Sequence, residues 1–119
     1  MLKVSIAPDG KEYPLPIEED AEKERETLKR ITAEQRSLGR KIVAVQGLGF
    51  VGCVMATVVA DATDKDGNPI YFVHGHQRAS QRSYWKVPVI NNGVPPINSS
   101  DPEVPEIFHR TVVEKKNFR

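Results

Sequence analysis

Residues 41–52 constrain this chain more than any other stretch. Ile42, Val43 and Val45 make a short β-branched run, and glycines follow at 47, 49 and 52. Residues 53–62 are helix-permissive. A G-x-G-x-x-G set between a buried-strand pattern and a helix is the arrangement that cradles a dinucleotide pyrophosphate; the same glycines without that context mean little. Each glycine has a separate reason to be there. Gly47 permits the tight turn out of the strand, Gly49 lets phosphate approach the backbone, and Gly52 lets helix and strand pack closely. The unpaired N–H groups and positive end of the helix then face the phosphates. Gly47, Leu48, Gly49, Phe50, Val51 and Gly52 are therefore candidate cofactor-binding residues. The alternative is a glycine-rich turn in an unrelated α/β protein.

Composition narrows the classes. A chain of 119 residues suits one domain. The formal net charge of +1 provides no general attraction to nucleic acid or an anionic membrane. Hydrophobic content of 39% and charged content of 28% fit a globular chain. No apolar run approaches the roughly 20 residues that cross a bilayer, and the N-terminus lacks a signal-peptide pattern. A lone cysteine, Cys53, excludes an internal disulfide and fits a reducing cytoplasm. The expected setting is cytoplasmic, without nucleic-acid or membrane partners.

Three segments differ in character. Residues 2–17 read as a hairpin, with Val4 and Ile6 alternating with polar residues, a Pro8-Asp9-Gly10 turn signal, and Tyr13 and Leu15 on the return. Pro14 and Pro16 confine the return strand to an edge or end it early. Residues 18–38 read as a charged helix, acidic at its start and basic towards its end, with Gly39 as C-terminal cap. Leu28, Ile31 and Leu38 give it a thin apolar stripe, so it is either a docking helix or a solvated appendage. Residues 1–39 form an N-terminal extension.

Residues 40–119 carry the α/β pattern. A strand at 42–45, a helix at about 51–62 and a strand at 70–74 imply a parallel βαβ unit. Val51, Val54, Met55, Val58 and Val59 are the expected buried face of that helix. Residues 64–69 and 91–96 are loops by composition. A last helix runs from Pro102 or Pro105 to about Val112, with Ser100 and Glu103 at capping-box spacing and Val104, Ile107, Phe108 and Val112 on its apolar face.

These residues resemble a known family. The stretch from Lys41 to Gly52 looks like the N-terminal fingerprint of UDP-glucose/GDP-mannose dehydrogenases. Tyr71 to Gly75 occupies that family's second strand. Lys86 to Gly93, followed by Pro96 and Ile97, resembles its lysine-valine, leucine-asparagine, glycine, proline-isoleucine stretch, and Glu106 to Phe108 the start of its next helix. The likeness covers about residues 40–119; residues 1–39 match nothing in it. It implies a partial Rossmann-like parallel sheet, preceded here by the hairpin and charged helix. It also implies oxidation of the C6 hydroxyl of a UDP- or GDP-hexose to the uronate by two hydride transfers to NAD, through a cysteine thioester. The family's cysteine, in a Phe-Cys-Pro-Gly-Gly setting, its assisting lysine and asparagine, and its sugar domain are not in these residues. Residues 117–119 fall where the family's next strand begins. The expectation is an N-terminal portion of a longer enzyme, inactive alone, with no catalytic residue and the nucleotide-sugar substrate bound only by the full-length protein.

The cofactor expectation carries a complication. The family places an acid at the tip of the second strand to bond the adenine ribose. Here that place reads Gly75, His76, Gln77 and Arg78. His76 and Arg78 are candidate cofactor contacts. The missing acid and following arginines admit NADP as well as NAD. Other residues tempt less. Cys53 is expected to pack, because the equivalent family position is apolar. The histidines lack metal-ligand spacing. Tyr84 and Trp85 read as packing residues, and the serines have no partner base. Two other function classes remain open: another Rossmann oxidoreductase, or a non-catalytic interaction module that keeps the glycines. A sheet this narrow leaves edges that proteins cover, so a homo-oligomer is among the expected partners.

Overall fold

The computed structural model describes residues 3–119. Leu2, which the sequence puts at the start of the hairpin, lies outside the described residues. The hairpin pairs β1 (Val4–Ile6) with β2 (Glu12–Pro14), antiparallel, with Ser5 opposite Tyr13. Asp9 Oδ1 accepts the Lys11 N–H at 3.0 Å inside the turn, the local bond that favours Asp there.

Helix α1 (Glu18–Ser37) starts where Asp20 Oδ2 accepts the Ile17 N–H at 3.1 Å. It ends as the sequence indicates. Gly39, with φ of +81°, gives its N–H to Arg36 O, and the Arg40 N–H returns to Gln35 O. Leu28 and Ile31 of the expected stripe are half-buried, but Leu38 is 64% exposed because it lies at the turn.

Strand β3 (Lys41–Gln46) leads into α2 (Phe50–Asp61) and returns through β4 (Tyr71–His76). The two strands run parallel, from Lys41 opposite Tyr71 to Gln46 opposite His76. This is the βαβ unit of a partial Rossmann-like sheet. Beyond β4, Phe118 bridges Val73 in parallel; the Val73 N–H bonds Asn117 O at 2.8 Å and the Arg119 N–H bonds Val73 O at 3.0 Å. Residues 117–119 thus pair with β4 as a third, bridge-length parallel strand, with β4 between them and β3. Between β4 and that strand lie α3 (Lys86–Asn91), α4 (Glu103–His109) and a π-helical turn, Arg110–Glu114. Pro88 is tolerated in the first turn of α3, where the N–H it lacks would have had no intrahelical acceptor.

The core lies between the sheet and its helices α2 and α4. Val45, Val73, Cys53, Ala56, Ala60, Phe108 and Phe118 form it. The opposite face is covered by α1, which packs on β3. Phe72, 1% exposed, shares a cleft on that side with Ile31 and Gln35. The charged helix is therefore a second covering layer rather than a free appendage.

Two sequence expectations need correction. The buried side of α2 is Cys53, Ala56, Thr57 and Ala60. Val51, Met55 and Val58 are 73%, 50% and 57% exposed, and Val54 and Val59 are partly buried. Small residues win the inner face because Gly52 brings the helix too close to the strand for larger ones. The cap of α4 is Asp101, not Ser100: its Oδ1 accepts the Glu103 N–H at 2.9 Å and its carbonyl the Val104 N–H.

Candidate functional site

The glycine turn joins β3 to α2 at the carboxyl ends of the strands. Gly47 has φ of +85°, a region costly for residues with a Cβ. Its N–H donates to His76 O at 2.8 Å, which locks the turn to the tip of β4. Gly52 has a steric reason to be glycine: a Cβ there would lie 1.9 Å from Gly47 O. Gly49 differs. It caps the helix with φ −73° and ψ −167°, which any residue can adopt, and a Cβ there would meet nothing within 4 Å. The fold does not demand glycine at 49, so open backbone there is left for a ligand.

The first intrahelical bond of α2 is from the Cys53 N–H to Gly49 O. The N–H groups of Phe50, Val51 and Gly52 precede it and find no partner among the described residues. The side chains of Phe50 and Val51 are exposed. These are the donors and the clearance that a pyrophosphate requires, and the turn fits a dinucleotide.

Leu48 plays another part. Its side chain is 3% exposed and sits against Gly75, and its N–H donates to Gln77 Oε1 at 2.8 Å. It fastens the turn from beneath and has no N–H to offer. Gln77, which sequence reasoning passed over, is the fastener: its Nε2 also donates to Ser83 Oγ at 3.1 Å. Its place directly after the second strand, facing the glycine turn, was the available signal.

His76 and Arg78 stand where the strand tip meets the glycine turn, and both are exposed. The His76 ring and the Arg78 guanidinium have no hydrogen-bond partner among the described residues. His74, two residues back, is tied by Nδ1 to Arg119 O at 3.0 Å. Cys53 is fully buried, and burial pushes its thiol above the usual range, so it is a packing residue rather than a nucleophile. Trp85 donates its backbone N–H to the buried Ser5 Oγ at 2.9 Å, which docks the hairpin on α3. Asp61 receives Arg110 Nε at 2.7 Å and Nη2 at 2.8 Å, and Lys115 Nζ at 3.3 Å. These contacts, the Arg110 bond first, hold its carboxyl below the usual range.

The solved structure of an NDP-N-acetyl-D-galactosaminuronic acid dehydrogenase from Methanosarcina mazei Go1 is similar to this chain, with a TM-score of 0.58 and 29% sequence identity over 71% of it. Fold and sequence together relate this chain to a nucleotide-sugar dehydrogenase. The chain spans 17% of the length of that enzyme. No family model matches the sequence, and no curated protein does.

Proposed function

We propose that this chain is the N-terminal dinucleotide-binding portion of a nucleotide-sugar 6-dehydrogenase. The full-length protein would oxidise a UDP- or GDP-hexose with NAD or NADP. The observation that carries this reading is Gly49: a glycine the fold does not need, at the head of a helix whose first N–H groups have no partner among the described residues. The similarity to a nucleotide-sugar dehydrogenase supports the substrate class. A bound cofactor would supply hydride chemistry. This chain's part is to hold its phosphates on the amides of Phe50, Val51 and Gly52, and to present His76 and Arg78 at the strand tip.

Calorimetric titration of the chain with NAD and with NADP tests the proposal. Saturable binding is expected, and Gly49→Val is expected to abolish it while the melting temperature holds, because a Cβ at 49 has nothing within 4 Å among the described residues. Binding that survives Gly49→Val would remove the pyrophosphate from this turn.

A further inference from the structure

The family acid is missing from the tip of β4, and the structure offers a carboxylate from elsewhere. Helix α1 ends beside the start of β3, so its first turns lie over the carboxyl ends of the strands. There it walls a cleft of about 490 Å³ against His76, Gln77 and α3. That volume lies within the range of small-ligand sites. Leu28, Val87 and the ring of Tyr84 give the cleft apolar surface. Asp20 and Glu24 both line it, and their charges, after burial, raise the Tyr84 phenol. Glu24 is engaged: Arg119 grips it through two bonds of 3.0 Å. Asp20 is held by one oxygen on the Ile17 N–H, and its other oxygen has no partner among the described residues.

We propose that this cleft takes the adenosine end of the dinucleotide, with Asp20 of α1 accepting the ribose hydroxyls in place of the absent strand-tip acid. The inference rests on the reading of the glycine turn given above. It deepens that reading by making the N-terminal extension part of the binding site. A carboxylate at the ribose accepts a diol and repels a 2′-phosphate, so it favours NAD over NADP. Arg25, which also lines the cleft, is the group that would favour the phosphate instead.

The test is titration of the full chain with NAD, NADP and AMP, for wild type, Asp20→Asn and Ala21→Trp. Asn preserves the cap that Asp20 makes. Wild type is expected to bind NAD more tightly than NADP. Asp20→Asn is expected to move the NAD-to-NADP affinity ratio by about tenfold towards NADP, the loss of one charged hydrogen bond. Ala21→Trp, which fills the cleft from an exposed helix position, is expected to remove AMP binding with the helical circular dichroism unchanged. An unchanged ratio in Asp20→Asn, or AMP affinity intact in Ala21→Trp, would overturn this proposal while leaving the glycine-turn reading in place. Failure of wild type to bind any of the three would overturn both.

Discussion

Three glycines of one motif answer to three different demands. Gly47 is fixed by its backbone angle, Gly52 by a carbonyl 1.9 Å from where its Cβ would be, and Gly49 by nothing among the described residues. Stability measurements separate them. Gly52→Ala drives a methyl into backbone that cannot step aside, and is expected to cost about 3 kcal/mol or more in urea unfolding. A cost near zero would mean that α2 can lift from β3, against the close approach described here. The motif was legible in the sequence, and so were its strand and helix. The division of labour was not, because spacing alone cannot say which glycine is crowded and which is open. For the same reason Leu48 was placed among the ligand contacts. Its burial and its bond to Gln77 depend on the β4 tip, a strand that lies far off along the chain.

The hairpin, both parallel strands and the charged helix were read close to where they stand, since alternation, β-branched runs and charge polarity are local signals. The orientation of α2 was misread. Its residues are apolar nearly all round, so periodicity marks no preferred face. The inner face is chosen by closeness to the sheet, which admits Ala56 and Ala60 and turns Met55 and Val58 outward. Thermal melts check the choice. Met55→Ala is expected to change stability by no more than about 0.5 kcal/mol, whereas Ala56→Leu is expected to cost about 1–3 kcal/mol by overpacking. The reverse order would restore the face expected from sequence. The π-helical turn after α4 had no sequence signature. It makes residues five apart neighbours, and so brings Arg110 and Lys115 to one carboxylate, Asp61.

The whole molecule is a narrow parallel sheet held between two helical layers, with its polar ties at the seams. Asn117 Nδ2 bonds Ala60 O and Tyr71 O, joining the end of α2, the start of β4 and the third strand. Asp61 joins α2 to the π-helical turn. Its carboxyl is depressed in the folded state, so its contribution is present above the unfolded carboxylate range and is lost as pH falls through the folded value. Asp61→Asn is expected to cost about 1 kcal/mol at neutral pH. That difference from wild type should vanish in acid strong enough to protonate the carboxyl. A gap that persists there would assign the loss to packing. The head of α2 is where the dinucleotide is proposed to sit. Titrating NAD into ¹⁵N-labelled chain and following the amide resonances tests this most directly. The largest shifts are predicted at Gly49, Phe50, Val51 and Gly52, with Leu48, already bonded to Gln77, moving less. Saturable binding that leaves those four amides unmoved, or no binding at all, would contradict the claim that this turn holds a dinucleotide.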